Sequence, residues 1–259
     1  ELAIILPLAL LLYDFSFKKE NLCRVGTFLK RYSLFILVTA AYIILRLTVL
    51  RFSDILPATA NFSIGKRLMI FLANFNFYFG MLSFPFGLHM SRTFLIPKTF
   101  FDLNLICGSI SMALILGGLF FWYRKNRQVF FWTAWFILWL IPQSGIFPIN
   151  SFLAEHFIYL SAIGFFVVVA LIIERYLHRK TVIIGLSLIL VAVCSYGTVL
   201  HNRDWQNEEV FYKAVLKFSP KSWLAHVNLG NVYLNKRLYS EAEKEYLSAL
   251  VLHPTLLIV

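Results

Sequence analysis

The stretch Ile141–Gly164, IPQSGIFPINSFLAEHFIYLSAIG, decides how the chain is read. Two apolar runs flank it, and Pro142, Gly145, Pro148, Asn150 and the pair Glu155-His156 break them. Such runs place the break at a membrane face, where a carboxylate and an imidazole are costly unless water, a partner or a ligand satisfies them. The stretch is therefore both a turning point of the chain and its best candidate for a site.

The composition around it agrees. Of 259 residues, 59% are hydrophobic and 27 are Phe, too apolar for one soluble core and suited to a multispanning membrane protein. A formal net charge of +11 raises the question of nucleic acid. However, Lys and Arg fall in short clusters between apolar runs, and no soluble module carries a basic face. Cys23, Cys107 and Cys194 lie far apart, which leaves neither a CxxC metal spacing nor a disulfide framework. With no HExxH, P-loop, GxGxxG or GxSxG pattern, metalloprotease, nucleotide-hydrolase, Rossmann and serine-hydrolase chemistries have no support, and no metal or cofactor is expected. Glu1 opens directly into LAIILPLALLLYDF and HPTLLIV ends without a cap, so both termini read as cut.

Candidate spans by apolar length are 2–17, 32–50, 68–86, 103–123, 129–147, 157–173 and 181–200, which gives six or seven. Most are near the roughly 20 residues that cross a bilayer. Helix is the expected state because backbone groups in lipid must be satisfied within the segment, and the alternating strands of a barrel are not seen. If every candidate crosses, Lys and Arg divide seven against nine, which decides no orientation. If 68–90 enters and leaves on one face, eleven of them collect at 18–31, 124–127 and 174–180, against five opposite. The positive-inside rule favours this second arrangement, with the basic face in the cytoplasm and Glu155-His156 on the outer or lumenal side.

From His201 the chain becomes charged and amphipathic, so the expected domains are a membrane part over 1–200 and a soluble part over 201–259. Aligning Pro220 with Pro254 places Tyr212 over Tyr246 and Leu216 over Leu250, a spacing of 34 residues and the tetratricopeptide period. Trp223, Leu229, Gly230, Tyr233, Ala242, Tyr246, Ala249 and Pro254 match one complete unit. Gly230 and Ala242 would let two helices approach, and Pro254 would end the second. Arg237 stands at the turn position usually held by Gly. The expected fold class is thus all-α, a polytopic helical membrane domain followed by a helix-pair repeat.

Several residues carry candidate chemistry. Glu155 and His156 suit a phosphate-bearing lipid head group or proton transfer, against the plainer role of an interfacial hydrogen-bonded pair. Arg46, near the end of an apolar run, would either pair with an anionic lipid phosphate or snorkel to the surface. Glu1 is a charge at a membrane entrance, and Pro85, His89 and Arg92 belong either to a cavity wall or to an interfacial loop. Trp205, beside His201, Arg203 and Asp204, reads as an interfacial anchor.

Taken together, FPINSFLAEHFIYLSAIGFF, a final span and HNRDWQNEEVFYKAVLKFSPKSWLAHVNLG resemble the GT-C class of membrane glycosyltransferases with lumenal or periplasmic tetratricopeptide repeats. That class includes the transmembrane O-mannosyltransferases that target cadherins. LPLALLLYD after Glu1 and LSFPFGLHMSRTF resemble further segments of the family. His156 stands where eukaryotic members tend to have Arg, and Ser161-Ala162 replaces Pro-Ser, which points to a prokaryotic relative.

The resemblance implies transfer of a mannose-like hexose from a polyprenyl- or dolichyl-phosphate sugar, the donor substrate, to a protein or glycan acceptor. An acidic residue expected upstream of Glu1 would deprotonate the acceptor while basic groups steady the departing phosphate. Glu155, His156 and Arg46 are the expected lipid-phosphate residues. The repeats would face the outer or lumenal side of a bacterial or archaeal plasma membrane, or of the endoplasmic reticulum, and recognise a protein. Two other readings compete. An O-antigen ligase or polymerase predicts a long outer loop between late spans, where the connection after residue 147 is short. A membrane-anchored scaffold predicts no charges at span entrances.

Overall fold

The structure, a computed structural model, describes residues 5–18, 25–48, 62–83, 95–144 and 158–254. Every regular element among them is helical. The chain packs as two units, one containing the helices up to Tyr176 and the other those from Lys180 onward.

The first unit contains α1 (Leu6–Phe17), α2 (Val25–Thr48), α3 (Ile64–Ser83), α4 (Leu103–Lys125), α5 (Arg127–Leu140) with a 3-10 turn at Ile141–Ser144, and α6 (Tyr159–Tyr176). Local chemistry sets the boundaries. Pro7 occupies the first turn of α1, where its missing N–H costs nothing. Asp102 caps α4 by accepting from the Asn104 N–H at 2.9 Å. Asn126 both ends α4 and starts α5: its N–H donates to the Trp122 carbonyl, and its side-chain oxygen accepts from the N–H groups of Gln128 and Val129.

Between apolar helices in lipid there is little hydrophobic drive, so close approach and ring packing do the holding. Gly164 of α6 lies against the backbone of α5, where an added Cβ would come within 2.5 Å of the Trp132 carbonyl oxygen. Gly108 of α4 meets α3 more tightly still, with the Leu72 carbonyl oxygen 1.8 Å from where a Cβ would stand. Rings fill the remaining space. Phe131 of α5 meets Tyr13 and Phe17 of α1, and Phe79 of α3 meets Phe136 and Phe165. Each such pair is worth about 0.5–1.5 kcal/mol beyond area burial.

These contacts fix the helix directions. Trp132 faces Gly164 and Trp135 faces Leu160, so α5 and α6 run antiparallel. Phe131 meets the end of α1 while Trp139 packs with Ile5 and Ala9 at its start, so α1 also opposes α5. Tyr123 near the end of α4 stacks on Phe15, with ring centroids 5.3 Å apart. Lys18, Arg124, Lys125, Arg127 and Arg175 consequently gather at one end of the unit. This is the part of the expected basic face that lies among its described residues.

Three helices are long and apolar enough to cross a membrane among the described residues: Leu103–Lys125, Tyr159–Tyr176 and Lys180–Trp205. Three of the other expected spans differ for identifiable reasons. Helix α1 has 12 residues and α5 has 14, about 18 and 21 Å at 1.5 Å per residue. Helix α5 stops where Pro142 enters the 3-10 turn rather than running on to 147. Helix α2 runs 24 residues and is apolar over Tyr32–Leu45, in line with the expected span there. Helix α3 opens with Lys66 and Arg67, and eight of its residues are buried, Asn74 among them. The Asn74 amide donates to the carbonyls of Ile70 and Leu95 at 2.7 and 2.8 Å and accepts from the Leu95 N–H at 2.9 Å. One side chain thereby satisfies both backbone groups of Leu95, as a neighbouring strand would. Whether the chain beyond Ser83 re-enters the same face concerns 84–94, outside the described residues.

The second unit contains α7 (Lys180–Asn202), a 3-10 turn at Arg203–Trp205, α8 (Glu208–Phe218), α9 (Trp223–Asn235) and α10 (Tyr239–Leu252). Helix α7 buries no residue against the rest of the unit. The compositional boundary after residue 200 falls at its end, a change of solvent inside one packing unit. Past it, Asn207 and Ser222 cap α8 and α9 through the N–H groups of Val210 and Ala225. Helices α9 and α10 form an antiparallel pair, with the Trp223 ring over His253 at 4.9 Å and the His226 imidazole donating to Glu245 Oε2 at 2.6 Å. Gly230 admits the Tyr246 ring, whose hydroxyl donates to Asn231 Oδ1 at 2.7 Å. Ala242 and Ala249 are buried on the facing side.

Arg237 does what a glycine does at that turn. Its φ is 61°, in the left-handed region, while its N–H donates to the Leu234 carbonyl and that of Leu238 to the Tyr233 carbonyl. That is a Schellman cap built without glycine, at a cost of about 1 kcal/mol.

Candidate functional site

The chain leaves α5 at Ser144 and enters α6 at Tyr159, at the end of the first unit opposite its cationic end. Packing on both flanks fixes this frame. Trp135 donates its indole N–H to the Leu160 carbonyl at 2.8 Å. Ser161 is fully buried and donates to the Ile158 carbonyl at 2.9 Å. Gly164, one helical turn after Ser161, is the position at which the α5 backbone comes closest. The Ser161 that departs from the family pattern is thus a packing residue. Trp139, 4% exposed, lies one turn before the break beside Ile5 and Ala9. Its indole N–H has no hydrogen-bond partner among the described residues.

Glu155 and His156 themselves lie outside the described residues, as do Glu1, Pro85, His89 and Arg92. Arg46 is on α2, its side chain likewise outside them. Helix α2 is tied to α1 through Tyr32, and Arg46 follows about 21 Å further along, at 1.5 Å per residue. The structure therefore describes the helices that carry the predicted site, and no contact among its three residues is described.

Two polar features went unread in the sequence. Asp14, 5% exposed on α1, accepts from the Tyr32 hydroxyl at 2.7 Å and lies 3.4 Å from Lys18 Nζ. A carboxylate within LALLLYDF was the available signal. The other is the Asn74–Leu95 clamp. Trp205, read as an interfacial anchor, donates its indole N–H to His201 Nε2 at 3.2 Å and packs on Phe211 with centroids 4.5 Å apart. Its ring remains 57% exposed, so it links α7 to α8 while still presenting a face outward.

With this frame in place, the comparisons with known proteins become informative. The relatives are O-mannosyltransferases by name. Protein O-mannosyl-transferase TMTC2 of human and of mouse is 32% identical over 124 residues, 44% of this chain and 14% of the relative. Protein O-mannosyl-transferase F38B6.6 of Caenorhabditis elegans is 28% identical over 160 residues, 61% of this chain and 23% of the relative. The chain thus covers between 13% and 23% of the length of the curated relatives it matches. All three sources are animals, which lends the expectation of a prokaryotic origin no support. No protein-family model matches the chain, and no solved structure does. Three helices of membrane-crossing length support an integral membrane protein, and the stretch shared with these relatives is a small part of each of them.

Proposed function

We propose that the chain is part of a membrane glycosyltransferase that moves a mannose-like hexose from a polyprenyl- or dolichyl-phosphate sugar to a protein acceptor. The carrying observation is the break between α5 and α6. It holds Glu155 and His156 in sequence, and its described flanks, up to Ser144 and from Ile158, are fixed by packing at the end of the unit away from the cations. That position suits the outer or lumenal face if the cationic end faces the cytoplasm. There the Glu155-His156 pair, with Arg46, would bind the lipid phosphate and steady it as the sugar departs. The buried donor of Trp139 nearby suits an oxygen-rich group.

The α9–α10 pair, with its glycine-to-ring contact and capped turn, supports reading 201–259 as tetratricopeptide structure that presents the acceptor. The test is sugar transfer by the full-length protein in membranes. Glu155→Gln and His156→Ala are each expected to reduce transfer while leaving membrane insertion intact. Unchanged transfer in both would make the pair structural and refute the assignment.

A further inference from the structure

The cationic end of the first unit has a construction that orientation alone does not require. Lys125 Nζ lies over the Phe121 ring at 4.1 Å, and the Arg127 guanidinium over the Tyr123 ring at 4.2 Å. Arg124 and Arg175 are exposed beside them. None of these four cations makes an ion pair with a carboxylate among the described residues. The acidic groups described at this end are Asp14, engaged by Tyr32 and Lys18, and the exposed Glu174. Rings that steady a cation from below leave its outer side free for an anion. Tyr123 is itself held, stacked on Phe15 and edge-on to Phe130.

The occupant follows from position. These cations stand at the termini of α4, α5 and α6, two of which are of membrane-crossing length, and the ends of crossing helices meet the head groups. We propose that this aromatic-braced rim binds the phosphates of anionic phospholipids in the adjoining leaflet, with Arg124, Lys125 and Arg127 as its centre. The rim attracts about 1 kcal/mol of head-group charge per cation, roughly a fivefold preference each. The proposal rests on the membrane reading alone and holds whether or not the chain transfers sugar.

The test is lipid retention by the full chain after reconstitution into phosphatidylcholine bilayers with a minority of phosphatidylglycerol, read by mass spectrometry of the lipids that stay bound. The native chain should retain phosphatidylglycerol well above its bulk share. Lys125→Gln, at an exposed position, should lower that enrichment about fivefold, and Arg124→Gln with Lys125→Gln and Arg127→Gln should abolish it. Arg124→Lys with Arg127→Lys should keep most of it, and Lys213→Gln with Lys236→Gln in the second unit should leave it unchanged. Retention at the bulk ratio by the native chain would overturn the proposal, as would undiminished enrichment in the triple variant. So would release of the lipid by inorganic phosphate at matched ionic strength, which would mark a site for soluble phosphate.

Discussion

The two units differ in how particular glycines and cations are used. In the first, Gly108 and Gly164 bring backbone against backbone, and Lys125 and Arg127 rest on rings without carboxylate partners. In the second, Gly230 admits a tyrosine ring, and Lys213 and Lys236 both reach Glu209 at 2.5 Å. Solvent accounts for the difference. Where lipid surrounds a helix, apolar side chains gain nothing by leaving it, so stability comes from close approach, and a buried polar group left without a partner is costly. Where water surrounds it, an amphipathic face drives packing, and ion pairs and caps adjust the edges.

The comparison can be broken most severely at its glycines. Gly108→Ala should cost about 3 kcal/mol or more in denaturant unfolding, because the obstacle is the fixed Leu72 carbonyl. Gly230→Ala should cost only about 1–2 kcal/mol, because the Tyr246 ring can shift at the expense of its bond to Asn231. Equal costs would show that the two contacts are of one kind. Asn74→Leu should follow, at about 2–3 kcal/mol, since it strands both backbone groups of Leu95 in an apolar setting. A neutral result would mean that water reaches Leu95. A smaller change with the opposite sign is expected at the α9–α10 turn. Arg237→Gly should stabilise the second unit by about 1 kcal/mol, seen as a raised melting temperature.

The smallest effect concerns acid. Lys213 first, then Lys236, hold the Glu209 carboxyl down at about 2, from an ordinary 4.5. A depressed carboxyl pKa contributes stability that is complete above the unfolded value and is lost as pH falls through the folded one. The second unit should therefore weaken between pH 4.5 and about 2, and Glu209→Gln should flatten that part of an acid titration followed by tryptophan fluorescence. Because the carboxylate is partly open to solvent, salt should shrink the effect.

What could be read from the sequence follows the range of each cause. Helices α4, α6 and α7 were legible because crossing length is a property of one continuous run. Gly230 and Ala242 were legible as close-approach positions because they match the small-residue positions of one tetratricopeptide unit. Partners far along the chain were not. Nothing local announces that Asn74 holds Leu95, 21 residues on, or that Asp14 meets Tyr32, 18 residues on. Helix α5 looked long enough to cross because apolar length does not register the Pro142 turn that ends it. Arg237 could be placed at the turn from the repeat, but its left-handed backbone is imposed by the two helices it joins. For the candidate site, the sequence named Glu155, His156 and Arg46, and the packing of Ser161, Gly164 and Trp135 supplied the frame on either side.

The division into a lipid-facing and a water-facing surface is tested most directly at Cys194, a free thiol on the outside of α7, eight residues before the helix ends. In open membrane fragments, with Cys23 and Cys107 changed to serine, a membrane-impermeant maleimide should leave Cys194 unmodified until detergent is added. A cysteine placed at exposed Ser240 on α10, in a chain whose own three cysteines are all serine, should react at once. Labelling of Cys194 in intact fragments as fast as at position 240 would show that α7 stands in water, and would contradict the membrane reading on which the account rests.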